Sequence, residues 1–467
     1  MLTFARANLL FRIQPRAMTP REENVVEPES SPPAERPIGS RLQAILRALR
    51  HRNFQLFFSG QLISLVGTWM QNVAQAWLVY RLTGSSLLLG AVGFAGQIPV
   101  FLMAPVGGVV ADRYNRHRVV IATQTSAMIL AFILAGLTLA GLVQVWHIFV
   151  LASLLGVVNA FDIPARQAFL VDMVGREDLM NAIALNSSMF NGARIIGPAI
   201  AGVLVASIGE GWCFFSNAVS YIAVIVGLVL MRVTRPAGLA RGASPVEHII
   251  EGFRFVKRTA PIRALLLLLG LISLVGMPYA VLMPIFADRI LHGGARGLGI
   301  LLGATGVGAL LGALTLAARS GLKGLGRWVG FSCAGFGVSL IAFALSRSFW
   351  LSAALLIPVG YSMMLQMAAS NTLIQAMVPD ELRGRVMAVY SMMFMGMAPV
   401  GSLFAGVVAD RAGAPFTIII GAIGCLVGAA IFGSRLPALR VQAQQLIIAQ
   451  GMEGGSPPEE MTARVPS

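Results

Sequence analysis

Apolar runs of about twenty residues recur along the chain, and that is the length a helix needs to cross the ~30 Å hydrocarbon core of a bilayer. Backbone N–H and C=O groups find no partners in lipid. Only helices or closed barrels therefore span it. Barrel strands alternate polar and apolar residues over ~10 positions, whereas these runs are continuous. The chain is read as an all-α integral membrane protein. Composition agrees: 56% of residues are hydrophobic and 12% charged, against roughly 25% charged in a soluble domain.

The runs predict twelve transmembrane helices, near 54–80, 87–110, 119–142, 146–170, 181–208, 212–231, 264–288, 298–318, 327–346, 349–376, 385–408 and 414–435. Residues 1–48 read as a disordered cytoplasmic tail, polar and rich in Pro and Arg. Residues 49–234 form an N-terminal six-helix bundle and 263–437 a C-terminal one. The linker, 235–262, carries a short amphipathic helix at the membrane surface. Residues 438–467 read as a second cytoplasmic tail. Leu9-Leu10-Phe11 is too short for a signal-peptide core, and translation starts at Met1 or Met18.

The net charge of +15 would suggest nucleic acid in a soluble protein. No zinc-knuckle or base-stacking motif accompanies it, so no nucleic-acid partner is expected. The basic residues instead crowd one set of loops, among them Arg113, Arg116, Arg118, Arg254, Lys257, Arg258, Lys323 and Arg383. The positive-inside rule then places both termini in the cytoplasm. Cys213, Cys333 and Cys425 lie far apart within apolar runs and read as packing residues, with no metal or disulfide role.

A shift of 204 residues lays the fifth span on the eleventh. Ala184, Ser187, Met189, Gly192, Gly197 and Gly202 fall on Ala388, Ser391, Met393, Gly396, Gly401 and Gly406. Repeated halves place a site at their interface near the bilayer midplane and permit alternating access by rocking. The expected architecture is two pseudo-symmetric six-helix bundles.

Between the second and third spans lies Gly108-Val109-Val110-Ala111-Asp112-Arg113-Tyr114-Asn115-Arg116-His117-Arg118. Gly108 would allow close helix approach. Asp112 suits an Arg partner or the positive end of a neighbouring helix. Asn115 suits a tight turn with positive φ. The alternative is a plain basic loop.

This loop resembles the signature of the major facilitator superfamily, with Asn115 where the pattern usually has Gly. The likeness covers most of residues 50–435. Gly67-Thr68-Trp69-Met70-Gln71, Asp162-Ile163-Pro164-Ala165-Arg166-Gln167 and Ala193-Arg194-Ile195-Ile196-Gly197-Pro198 resemble the enterobactin-exporter-like, transmembrane secretion effector branch of efflux proteins. The resemblance implies the major facilitator fold and a gating loop of Gly108, Asp112, Arg113, Arg116 and Arg118. It implies that Asp112 locks the cytoplasmic side against the start of the eleventh helix, with Arg166, Arg383 and Arg385 as candidate partners. Asp112 shifts onto Leu316, so the second half lacks a copy of this gate. Gly197, Pro198 and Gly202 resemble the helix-kink motif of antiporters at a spacing one residue off. An ordinary packing kink is the alternative.

Two charges lie inside spans, Asp162 and Arg194. Charges at this depth cost ~2.5–3.5 kcal/mol or more and mark functional sites by default. Helical rise places them close enough across adjacent spans for an Asp162–Arg194 pair that a proton or an anionic substrate breaks. A static structural pair is the alternative. Gln61, Ser64, Thr68, Gln71, Asn72 and Gln75 follow helical spacing in the first span and are expected to line a wet cavity. Gln61, Thr68, Asn72, Gln75, Asn159, Asn191, Gln366 and Tyr390 make up the candidate substrate cavity. The Met-rich tenth and eleventh spans suit varied apolar ligands, or pack in the core or against lipid.

No H-E-x-x-H, G-x-S-x-G or P-loop pattern occurs, so neither an enzyme nor a direct ATP-driven pump is expected. Tails this short also argue against a non-transporting sensor. The chain reads as a secondary active transporter needing no cofactor, driven by a proton or other ion gradient. Its expected partners are a small-molecule substrate and the lipid bilayer, and it is expected to be a monomer. The resemblance implies efflux across a bacterial inner membrane of a bulky amphiphilic or aromatic molecule, siderophore or drug-like. Uptake and lipid or lysophospholipid translocation are alternatives within the same fold.

Overall fold

The computed structural model describes residues 47–232, 245–319 and 321–450, and these are helical throughout, with no strand among them. The N-terminal half contains α1 (Arg52–Thr83), α2 (Ser86–Arg113), α3 (Arg116–Leu139), α4 (Val145–Val174), α5 (Leu179–Ile208) and α6 (Glu210–Val229). The linker helix α7 (Pro245–Arg258) follows. The C-terminal half contains α8 (Ala260–Ile290), α9 (Gly294–Ala317), α10 (Leu325–Leu345), α11 (Phe349–Met377), α12 (Asp380–Ala412) and α13 (Ala414–Ala449). Eleven of these helices are long and apolar enough to cross a membrane. The twelfth span is α1, which has ample length at 32 residues but a polar face that lowers its hydropathy.

Both halves repeat one packing plan. α1 packs on α5 and α6, α2 on α4, and α3 on α4 and α6; α8 packs on α12 and α13, α9 on α11, and α10 on α11 and α13. α5 against α9 and α2 against α12 join the halves. The repeated glycines explain the register. A Cβ on Gly197 would lie 2.5 Å from Trp69 Cβ, and its counterpart Gly401 is pressed equally onto the Leu274 carbonyl in α8. A Cβ on Gly202 would lie 3.0 Å from Gly299 Cα, and one on Gly406 3.0 Å from Gly90 Cα. The first pair closes each helix onto its own half. The second lets it cross the opposite half with backbones nearly touching.

Four features differ from the sequence expectations. α13 continues to Ala449, beyond the boundary of 437, because 438–449 is rich in the good helix formers Ala, Leu, Gln and Arg. Asn115 has φ −65°, not a positive value: it caps α3, its side chain accepting from the Arg118 N–H at 3.3 Å, as residues at that position commonly do. Gly107, not Gly108, makes the close approach. A Cβ on Gly107 would strike the Ala160 carbonyl, whereas one on Gly108 would meet nothing within 4 Å. Finally α8 is interrupted: π-helical turns at Ile272–Gly276 and Phe286–Ile290 flank a 3₁₀ turn at Met277–Ala280. Pro278 and Pro284 remove two backbone donors there.

The linker helix docks on α12. Gly252 rests on the Arg385 carbonyl, and Glu251 pairs with Arg385 at 2.7 Å. The three cysteines are buried and unbridged. The residues outside the described ranges include most of both expected tails and the first part of the linker.

Candidate functional site

The loops 84–85, 209, 291–293 and 413 lie at the far side from the chain ends, and the halves meet there. Tyr80 donates to Asp288 Oδ2 at 2.8 Å. Arg289 donates to the Gly84 carbonyl at 3.2 Å, with its guanidinium carbon 5.6 Å from the Tyr80 ring centroid. Ser85 donates to Asp410 Oδ1 at a longer 3.4 Å. Gly84 itself has φ +61° and caps α1, its N–H donating to the Tyr80 carbonyl. A Cβ there would fall 2.6 Å from Arg289 Nη2. None of Tyr80, Asp288 or Asp410 stood out in the sequence, because nothing local shows that α1 meets the end of α8.

At the opposite side, Asp112, Arg113 and Arg118 are exposed and make no ion pair among the described residues. Each expected partner of Asp112 is engaged elsewhere. Arg166 pairs with Asp162 at 3.1 Å, Arg383 with Asp380 at 2.6 Å, and Arg385 with Glu251. Arg116 pairs with Asp172 at 3.2 Å and donates to the Ala168 carbonyl, tying the α2–α3 turn to α4. Asp172 was not legible as a partner in the sequence. The far side is thus latched and the Asp112 lock unmade.

Asp162 does not pair with Arg194. It is 2% exposed, and both of its oxygens are occupied. Oδ1 accepts from Thr123 Oγ1 at 2.8 Å and Gln124 Nε2 at 2.9 Å, while Oδ2 faces Arg166. The rise per residue put Arg194 within reach of Asp162 through its long side chain, but rotation of 100° per residue decides direction. Arg166, one turn along the same helix, is the nearer cation. A hydrogen-bonded polar core surrounds this group. Asn217 donates to Gln71 Oε1 at 2.7 Å, and Ser220 donates to the Asn217 carbonyl. Tyr221 faces Thr68, Asn217, Asp162 and Arg166.

This core revises the cavity assignment for α1. Gln61, Ser64 and Gln71 are buried, and α6 supplies a polar partner for Gln71 in Asn217. Asn72 is exposed, and Thr68 and Gln75 are half-buried. The Gln61 and Gln124 Oε1 atoms are buried without a hydrogen-bond partner among the described residues. Asn159 is half-buried on α4. Asn191 bonds back to the Ser187 carbonyl at 2.9 Å. In the C-terminal half, Gln366 is 1% exposed and donates to Ser370 Oγ at 3.3 Å. Tyr390 donates to the Met367 carbonyl at 3.2 Å. The methionines divide: Met363 and Met377 are buried, Met393 packs at Gly270, and Met395 is exposed.

Arg194 lies on α5 where both halves converge. Its guanidinium carbon stands 5.7 Å from the Trp69 ring centroid, and Trp69 meets Phe190 edge-on at 5.5 Å. Tyr279, from the interrupted part of α8, is its electrostatic neighbour and also faces Thr305 of α9. No carboxylate among the described residues lies within ion-pair distance of Arg194. Stacking on an aromatic ring contributes about 0.5–2 kcal/mol, which offsets only part of the ~2.5–3.5 kcal/mol or more that a charge costs at this depth. The kink residues lie just beyond it: Gly197 against Trp69, and Pro198 with its carbonyl against Gly299.

No group of His, Cys, Asp or Glu among the described residues has metal-site geometry. The family model described as transmembrane secretion effector matches residues 44–454. The staphyloferrin A transporter of Staphylococcus aureus (strain NCTC 8325 / PS 47) is 27% identical over 357 residues, covering 76% of this chain and 89% of the relative. The enterobactin exporter EntS of Shigella boydii serotype 4 (strain Sb227) is 27% identical over 345 residues, covering 72% and 80%. In fold, the nucleoside transporter NupG superposes with a TM-score of 0.65 at 15% identity, over 82% of this chain and 98% of that one. These matches agree with the two repeated six-helix halves and the latched interface between them: the chain belongs to the transmembrane secretion effector family of major facilitator transporters.

Proposed function

We propose that this protein is a proton-driven exporter that moves a bulky amphiphilic or aromatic small molecule, siderophore-like or drug-like, by alternating access. It works as a monomer in a bacterial inner membrane, with both termini in the cytoplasm and no cofactor. The reading draws on the basic loops around Arg113, Arg118 and Lys323 at the side of the chain ends and on the relatives named for siderophore transport and export. The single observation that carries it is the burial of Asp162 beside Arg166, within a set of polar side chains inside the membrane-spanning half.

Helix geometry supplies the link. α2 and α4 run parallel, and Gly107 rests on Ala160. Five residues farther along each helix, Asp112 lies at the depth of residue 165, close to the level of Arg166. Arg166 serves one carboxylate at a time. With Asp162 ionised, it is held inward by the 3.1 Å pair and Asp112 is unengaged. Substrate bound from the cytoplasm brings Arg166 onto Asp112, which locks that side while the Tyr80–Asp288 latch opens and leaves Asp162 to take a proton from the outside. Return of Arg166 to Asp162 expels that proton to the cytoplasm, so one proton runs inward for each substrate moved outward.

Reconstitution into liposomes under imposed pH, Na⁺ or K⁺ gradients tests this, with a catecholate siderophore, a cationic dye and a lysophospholipid as probes. The expected result is pH-gradient-dependent movement of the siderophore or the dye. Lysophospholipid movement alone favours the lipid-translocating alternative. No movement of any probe under any gradient overturns the efflux reading.

A further inference from the structure

We infer that Arg194 anchors an anionic group of the substrate, in a midplane site whose aromatic wall is Trp69 and Tyr279. The inference rests on the transport reading above and specifies what is carried. Four elements from both halves converge: Arg194 on α5, Trp69 on α1, Tyr279 on α8 and Thr305 on α9. A site built from both halves is one that rocking reshapes.

Three observations point to a ligand rather than to a fixed structural charge. Arg194 lacks a protein carboxylate, while every other ionic contact described for the span interiors of this half is satisfied, Asp162 by Arg166 and Asp172 by Arg116. Its side chain sits deep among the helices yet keeps partial accessibility. α8 gives up regular α-helix at Ile272–Ala280, the stretch that presents Tyr279. Interrupted helices that face a cavity at this depth are how transporters build solute sites, and π-turns inside helices concentrate at functional positions.

The chemistry follows from the fork of the guanidinium. It suits an oxyanion that offers two oxygens to two parallel hydrogen bonds. The half-buried Trp69 ring beside it suits an aromatic or otherwise flat apolar body. Two sources share this chemistry: the carboxylate of an aromatic small molecule, and the phosphodiester of a single-chain amphiphile.

Equilibrium binding separates them. Full-length protein in nanodiscs is titrated with fluorescein, with lysophosphatidylglycerol as competitor, and in parallel with rhodamine 6G as a cationic probe of similar ring system. Arg194→Gln is expected to weaken the anionic ligand by about thirtyfold, the scale of a lost charged hydrogen-bond pair, and rhodamine 6G by less than about twofold. Arg194→Lys keeps the charge without the fork and is expected to fall between. Trp69→Phe, which keeps the ring, holds affinity within about threefold. Unchanged elution and melting of the variants show that folding is intact. Fluorescein binding that depends on Arg194 assigns the aromatic anion. Dependence confined to lysophosphatidylglycerol assigns the amphiphile. Absence of anion binding, equal affinity in Arg194→Gln, or an equal loss for rhodamine 6G overturns the inference. Anion binding that depends on Arg194 in a protein that no gradient drives would leave this site standing and sink the export reading alone.

Discussion

The two halves of this transporter share a frame and differ in chemistry at equivalent places. A shift of 204 carries Asp162 onto Gln366 and Arg166 onto Ser370. Asp162, Gln366 and Ser370 are buried and Arg166 is half-buried; both pairs sit one helical turn apart, and both contain a direct contact, 3.1 Å in the first and 3.3 Å in the second. One is an ion pair supported by Thr123 and Gln124; the other is a single neutral hydrogen bond. Arg194 likewise falls on Ala398. The glycines at the crossings, by contrast, are kept in both halves. Packing between halves must be symmetric for rocking to work, because each half crosses the other with the same helix. Charge has no such requirement, and it is concentrated in the N-terminal half.

The comparison breaks first at the buried pairs. Arg166→Gln leaves Asp162 without its cation and is expected to destabilise the protein by about 2–4 kcal/mol, the scale of an orphaned buried charge discounted for the partly exposed arginine. Ser370→Ala, at the equivalent place, costs about 1 kcal/mol. Thermal unfolding of the two variants in one detergent measures the gap. Asp162→Asn added to Arg166→Gln should recover much of the loss, since the uncompensated charge is then gone. Equal destabilisation by Arg166→Gln and Ser370→Ala would erase the distinction between the halves.

The crossings sharpen it from the other direction, since here the halves should agree. Gly202→Leu and Gly406→Leu each force atoms into a helix crossing, at about 1–3 kcal/mol, and hold the far side apart. Both should slow transport by about tenfold. Gly136→Leu points into open space away from the gating loop and should leave the rate unchanged. Initial rates in proteoliposomes compare the three, and a normal rate for either crossing variant would remove the symmetric role.

The smallest effects belong to the far-side latch. Tyr80→Phe removes the 2.8 Å bond to Asp288, worth about 1 kcal/mol, and should raise labelling of a cysteine placed near residue 292 about fivefold. Ser85→Ala gives up a longer contact of 3.4 Å and should change labelling by less than about twofold.

The frame was legible in the sequence because it is written in length and repetition. Twenty-residue apolar runs fix the spans, and the 204 shift fixes their pairing. Asp162 and Arg194 stood out because charge inside a span is conspicuous. Their partners were not. Rise along a helix is read by counting, whereas facing depends on rotation that neighbouring helices adjust. The same 100° step separates Gly107, on Ala160, from Gly108, on nothing. The interruption of α8 was hidden because Ile272, Leu274 and Val275 keep the stretch as apolar as a regular span, with only Gly276, Pro278 and Pro284 to mark it. Tyr80 and Asp288 belong to different halves, and no local pattern announces such a contact.

The proposed role of Asp162 is to carry a proton inward for each substrate moved outward. It is tested by comparing substrate exchange with gradient-driven accumulation in proteoliposomes containing wild-type protein or Asp162→Asn. Exchange needs only a moving carrier, whereas accumulation also needs the coupling group. The account predicts that Asp162→Asn keeps exchange of a catecholate siderophore within about threefold of wild type and loses pH-driven accumulation by about a hundredfold. Full pH-driven accumulation by Asp162→Asn would contradict it.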